Sequence, residues 1–295
     1  MDSLELEIYE RYRTLMDPDW RRRAPMGPEK PQSVRLRDLL ERYDAFCFDG
    51  YGTLYNRGSF VYDGALEGFR MLRAAGKHLR LVTNAASNVD RVLAEEAASR
   101  GFNVTEAETI SSGCLAGEFF AGAGRRIEEV YYIGRPTGVN VLKSFGVEAV
   151  ENPRTSAVAV SSATADDAMF AKAVEILKRP GGTLIVLNSD AWAPKIDGSR
   201  SPVSGALAER LRRESKCAEV RYFGKPFAGI FGRVKASLPA DARILMVGDT
   251  LGTDVMGARY AGIASALIVG RNEPAAELAE DEIALGIRPD YYLEG

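Results

Sequence analysis

Ala45-Phe46-Cys47-Phe48-Asp49-Gly50-Tyr51-Gly52-Thr53-Leu54 sets four apolar residues in a row against an aspartate and two closely spaced glycines. A short apolar run of this kind suits a strand covered on both faces, as in a parallel sheet. Gly50 and Gly52 let the backbone turn tightly beside a ligand. Asp49 then stands at the C-terminal edge of its strand, where open α/β sheets bind their ligands.

The residues on either side fit the same architecture. Residues 64–75 carry Leu66, Phe69, Met71 and Leu72 at helical spacing and stop at Gly76. Residues 78–82 read as the next strand, which runs into Thr83-Asn84-Ala85-Ala86-Ser87, and residues 89–100 read as a helix closed by Gly101. A β-α-β-α order favours a parallel sheet, and right-handed crossovers place both strand ends on one edge. Upstream, Leu36, Leu39 and Leu40 suggest a short helix, while residues 2–16 place Leu4, Ile8, Tyr12 and Leu15 at helical spacing. Repeated proline breaks that pattern over residues 18–31. The apolar face of the first helix docks on its own domain or on a second copy of the chain, so a homo-oligomer is one expectation.

From about Ser112 the alternation begins again, with strands at 130–133, 157–161 and 183–187 and a helix at 166–178. Ser111-Ser112-Gly113 supplies a small-residue hinge. The reading is an α/β domain of residues 112–217 inserted into a core of residues 35–111 plus 218–295, after an N-terminal helical extension and linker of residues 1–34. One continuous sheet is the alternative. In the second half of the core, residues 220–223 lead into Gly224-Lys225-Pro226, and an apolar strand at 243–247 ends in Gly248-Asp249-Thr250, with Asp254 five residues on. Two carboxylates so spaced converge when a loop joins a strand end to a helix start. Strands at 263–269 and 289–293 complete the pattern.

With 295 residues the chain can bury a large core without staples. The formal charge of −3 exerts no global pull toward nucleic acid, and the Arg21-Arg22-Arg23 cluster among prolines reads as a solvated linker. Cys47, Cys114 and Cys217 are far apart, which indicates neither zinc nor a disulfide framework and suits a reducing cytoplasm. No apolar stretch approaches the roughly 18 residues that span a bilayer, so no membrane association is expected. The single histidine, His78, excludes a multi-histidine metal site.

Asp49-Gly50-Tyr51-Gly52-Thr53, Thr83-Asn84, Lys225-Pro226 and Gly248-Asp249 with Asp254 resemble the four ordered motifs of the haloacid dehalogenase (HAD) superfamily, over about residues 44–293. The nearest resemblance is to the class IIA hydrolases, the nitrophenyl-phosphatase and nucleotide-phosphatase-like enzymes, whose cap is inserted between the second and third motifs. Asn188-Ser189-Asp190 and Arg288-Pro289-Asp290-Tyr291 add to it. The resemblance implies a Rossmann-like parallel-sheet core with an inserted α/β cap, acting on a small phosphorylated molecule. It casts Asp49 as the nucleophile that forms an aspartyl phosphate, Thr83 as a hydrogen-bond donor to the phosphoryl oxygens and Lys225 as the fixed positive charge. Magnesium is implied, held by Asp49, Asp249, Asp254 and the Tyr51 backbone carbonyl, in an oxygen-rich set suited to a hard cation. Gly50 and Asn84 are implied substrate contacts. Asn188 and Asp190 either face the substrate or make loop hydrogen bonds, and Trp192 either packs the cap or forms a platform.

One position departs from the phosphatase pattern, which has a second aspartate where this chain has Tyr51. That aspartate serves as general acid and base, work for which a phenol of pKa about 10 is ill suited at neutral pH. A tyrosine there also resembles the 2-haloacid dehalogenases, whose halide leaves without a proton and without a metal. Three expectations follow: a slow phosphatase, a dehalogenase, or a regulatory protein that binds phosphate ligands without efficient turnover.

Overall fold

The computed structural model describes residues 1–122 and 127–293. Among these residues the strands are β1 (Gln32–Val34), β2 (Ala45–Phe48), β3 (His78–Thr83), β4 (Thr109–Ser111), β5 (Glu129–Ile133), β6 (Glu148–Ala149) and β7 (Ala157–Val160). They continue with β8 (Thr183–Val186), β9 (Trp192–Pro194), β10 (Arg200–Pro202), β11 (Glu219–Tyr222), β12 (Ile244–Gly248), β13 (Ala264–Ile268) and β14 (Tyr291–Leu293). The core sheet runs β1-β14-β13-β12-β2-β3-β4, parallel throughout. The apolar run of the opening stretch is its second central strand, buried at every residue because helices cover both faces. Chain order reverses between β2 and β12, so the ends of these two strands form the crevice where such sheets bind ligands.

A second parallel sheet, β11-β8-β7-β5-β6, forms the inserted α/β domain, and β9 and β10 make a separate antiparallel hairpin. One expected boundary is corrected. Strand β11 pairs with β8, so the chain returns to the core after Tyr222 and not after residue 217. Its sequence, Glu-Val-Arg-Tyr, is half polar because it lies at the edge of the sheet, and composition cannot say which sheet such a strand joins.

The N-terminal 34 residues are likewise more than an extension and linker. Residues 32–34 form the edge strand β1 on β14, and Met26 bridges to Ile287. Helix α1 (Ser3–Met16) docks on its own chain. Ile8, Tyr9 and Tyr12 are buried against Leu251, Val255 and Met256 of the core and against Ala191 and Ala206 of the inserted domain. Leu15, at the same helical spacing, stays half exposed. The buried face instead runs through Glu5 and Arg13, whose guanidinium lies 4.3 Å over the Trp20 ring. Tyr12 donates to the Ser189 carbonyl at 2.9 Å, and Arg11 and Glu7 reach Glu209 and Arg213 on the helix Ser204–Ser215 of the inserted domain. The helix thus ties the two domains together.

Glu5 pairs with Arg200 of the hairpin at 2.8 Å, close to a second buried acid, Glu273, whose Oε1 accepts the Leu251 N–H at 2.7 Å and whose Oε2 has no partner. Burial, then the nearness of Glu5, pushes Glu273 up to about 8, with Asp281 adding repulsion and the Met1 ammonium opposing it. Burial pushes Glu5 up to about 7 against the attraction of Arg200. Both acids hold protons more tightly folded than unfolded, so their contribution to stability is complete below their ordinary value of 4.5 and is lost as pH rises through 7 to 8. Between about pH 5 and pH 8 wild-type stability should therefore fall relative to Glu273→Gln by about 3 to 4 kcal/mol, since a tenfold change in proton affinity is worth about 1.4 kcal/mol. Urea unfolding at a series of pH values checks this; parallel curves for the two proteins would contradict it.

Candidate active site

The C-terminal ends of both parallel sheets open onto one cavity of about 560 Å³, with Asp49, Thr83 and Asp249 on the core side and Ser161, Asn188 and Asp190 on the other. Asp49 follows β2, and its N–H still donates to the Val247 carbonyl of β12 at 2.9 Å, which fixes the Asp49 backbone against the neighbouring strand. The loop then turns back at once, with the Gly50 carbonyl accepting the N–H groups of Thr53, Leu54 and Tyr55. Gly52 has φ +96°, and a Cβ there would collide with the Asp249 carboxylate. Gly248 meets the same limit from Asp254. At both positions glycine is demanded by the close approach of a carboxylate, and at Gly52 by the backbone conformation as well.

Lys225 is almost wholly buried, and its ammonium lies 2.6 Å from Asp49 Oδ1, 2.7 Å from Asp254 Oδ1 and 2.9 Å from the Val82 carbonyl. Burial works against its charge, but Asp254, Asp49 and Asp190 outweigh this and raise its pKa, so it stays protonated. Asp49, Asp249 and Asp254 each bring a carboxylate oxygen within 4.8 Å of the others. Burial, joined for Asp249 by repulsion from Asp49 and Asp254, drives the Asp249 carboxyl far above the usual range. Burial also pushes Asp49 up to about 7 in spite of Lys225.

One ammonium cannot neutralise three converging carboxylates, and Asp249 Oδ2 has no hydrogen-bond partner. Asp249 Oδ1 accepts the Thr250 hydroxyl at 3.1 Å, and Asp254 Oδ2 accepts the Thr250 N–H at 3.2 Å, so the outer oxygens are held in place. An all-oxygen set with an orphaned, oriented carboxylate oxygen fits a hard divalent cation such as magnesium.

The other expected residues divide. The Thr83 hydroxyl lines the cavity and accepts the Ala85 N–H at 3.2 Å, which leaves its own proton to donate. Asn84 and Gly50, expected as substrate contacts, do not line the cavity. The Asn84 amide clamps the Lys225 loop, accepting the Lys225 N–H at 2.7 Å and donating to the Lys225 carbonyl at 3.0 Å and to Asp190 at 2.8 Å. Gly50 is consumed by the turn. Asn188 and Asp190 both line the cavity while also making loop bonds, Asn188 accepting the Asp190 N–H at 2.8 Å. Burial pushes Asp190 up to about 6. Trp192 lines the cavity from the hairpin and also packs on the α1 cluster.

Tyr51 borders the cavity, but its hydroxyl donates to Glu96 at 3.1 Å and its ring stands edge-on to Tyr55. Burial, then the nearby Glu96, pushes the phenol up to about 12, so it is no base at neutral pH. Sequence reasoning gave no role to Glu96 or to Ser189, whose hydroxyl donates to the Lys225 carbonyl. Both act only through tertiary contact, although Ser189 sits between two residues that had been singled out.

Comparison with known families settles the kinship. A model described as haloacid dehalogenase-like hydrolase matches residues 46–148, and a HAD-hydrolase-like model matches residues 222–295. Together they span more than half of the sequence and contain all four motifs. The chain belongs to the haloacid dehalogenase-like hydrolases. Within this HAD superfamily it is 29% identical to chronophin of Mus musculus over 282 residues, covering 90% of this chain and 95% of chronophin. It is 27% identical to glycerol-3-phosphate phosphatase of Gallus gallus over 288 residues, covering 88% and 91%. The structure superposes with a TM-score of 0.70 on glycerol phosphate phosphatase of Mycobacterium tuberculosis, solved in complex with magnesium, at 25% identity and with 86% and 76% of the two chains covered. As a HAD hydrolase the chain carries its acids at the C-terminal edge of the sheet, on either side of the point where strand order reverses.

Proposed function

We propose that this HAD hydrolase is a magnesium-dependent phosphatase with a class IIA type of cap, acting on a small phosphorylated metabolite in the cytoplasm through an aspartyl phosphate at Asp49. The observation that carries the reading is the buried convergence of Asp49, Asp249 and Asp254 on one point, with Lys225 bridging Asp49 and Asp254. Asp49, Asp249 and Asp254 would hold the magnesium, which when bound offsets negative charge on the phosphoryl group. Asp49, its backbone held against β12 by its own N–H, supplies the attacking oxygen, whose bond to phosphorus forms as the ester oxygen departs. Lys225 keeps Asp49 and Asp254 in place and presents fixed positive charge to the phosphoryl oxygens, and the Thr83 hydroxyl donates to them. The inserted domain, tied to the core by α1, covers the reacting group from bulk water. Dehalogenation requires no cation, and a crowded acidic cluster with an orphaned oxygen favours phosphate chemistry over it.

A second reading, binding with little turnover, is favoured by one observation: the Tyr51 proton is directed to Glu96. Phosphate release from nitrophenyl phosphate, with magnesium and then with excess chelator, separates the readings. Release that chelator abolishes is expected. Release that survives chelator, or halide release from 2-chloropropionate in its place, would overturn the proposal, and binding without release would support the second reading.

A further inference from the structure

The cavity is charged unevenly. Its floor holds Asp49, Asp190, Asp249 and Asp254, whereas its walls carry Arg57, Arg135 and Lys195, each from a different segment. Arg57 follows the first-motif loop, Arg135 stands just beyond the end of β5, and Lys195 follows β9 in the hairpin. Among the described residues none of the three is in an ion pair, and the only carboxylate on that wall is Asp197, two residues from Lys195.

The arrangement is built. Asn56, almost wholly buried, donates to the Pro194 carbonyl at 3.1 Å and to the Tyr62 hydroxyl at 3.1 Å, and accepts the Arg57 N–H at 2.8 Å. This one amide stitches the core loop to the hairpin and brings the next residue of each segment, Arg57 and Lys195, to the same seam of the cavity wall. Like charges brought to one seam repel, and an anion between them reverses the sign of that interaction. Arg135 lines the same cavity from the inserted domain.

We infer that the substrate is a phosphate monoester with a second anionic group, a carboxylate or another phosphate, at the end remote from the reacting phosphoryl, and that Arg57 and Lys195, with Arg135, select for it. This rests on the phosphatase reading and extends it from reaction to substrate class. The floor takes the reacting phosphoryl group and the cationic walls take the second anion. A cavity of about 560 Å³ lies within the usual range for small metabolites.

The test compares matched esters on the intact protein with magnesium: 3-phosphoglycerate against glycerol 3-phosphate for the carboxylate, and fructose 1,6-bisphosphate against fructose 1-phosphate for the second phosphate. The expected result is a kcat/KM at least tenfold higher for the doubly anionic member of at least one pair. That ratio should shrink toward one in the double variant Arg57→Gln, Lys195→Gln, whose positions are exposed, and should decline with added salt. Ratios near one for both pairs in the wild type, or a preference that survives the double variant, would overturn the inference. If no ester is turned over, nitrophenyl phosphate included, the phosphatase reading fails separately. Calorimetric affinities for the same pairs then decide the inference, a tenfold preference that the double variant loses supporting it and equal affinities refuting it.

Discussion

Asp49→Asn is expected to lower phosphate release by on the order of 10⁴-fold or more, because the amide cannot serve as the attacking oxygen and groups that act as one unit fail together. The substitution is close to isosteric, and the Lys225 ammonium can still donate to the Oδ1 position it occupies at 2.6 Å. It also removes one charge from a cluster in which three carboxylates share a single ammonium. Relief of buried like-charge repulsion should leave the metal-free variant as stable as the wild type, or more stable by about 1 kcal/mol. Loss of turnover with the melting temperature held or raised in chelator is thus the expected pair of results. Residual activity near the wild-type level would remove Asp49 from the reaction.

Tyr51→Asp is expected to act in the opposite direction and only on some substrates. In the wild type the Tyr51 proton goes to Glu96 and the phenol is pushed up to about 12, so position 51 has no group suited to protonate a departing oxygen. A carboxyl two residues beyond the nucleophile supplies general acid help, typically worth about 10²- to 10⁴-fold. Alkyl phosphates, whose leaving oxygen needs that proton, should gain about 10²-fold or more, while nitrophenyl phosphate should change little. Equal changes on both, in a variant whose unfolding curve shows an intact fold, would show that proton transfer at position 51 is not what sets the rate.

What could be read from the sequence follows from how local each signal is. Asp49 and Asp249 were legible because each closes an apolar run, and the parallel core sheet brings both ends to one edge. Lys225, by contrast, follows a half-polar strand of the other sheet and was legible only through its likeness to the third motif. Asp254 was legible from its spacing along a single strand-to-helix turn. By contrast β1 is three residues long and polar or half exposed, and β11 is an edge strand; only the partner each one finds tells which sheet it joins. The face of α1 was misjudged at Leu15 because Glu5 and Arg13 are buried in its place, each matched by a distant partner, Arg200 and Tyr260. Asn84 was expected to face the substrate, but the fold uses both ends of its amide to hold the Lys225 loop. The cationic seam was illegible for the same reason, since Asn56 and Pro194 are 138 residues apart.

The claim on which the account depends is that phosphorus is transferred to Asp49. Acid quenching during steady-state turnover of nitrophenyl phosphate, followed by borohydride reduction and peptide mass analysis, tests this directly. The account predicts that the peptide containing Asp49 carries the reduced acyl-phosphate product, and that the product is absent when chelator is added before substrate. An unmodified Asp49 peptide under conditions of rapid release, or a label on another residue, would contradict it.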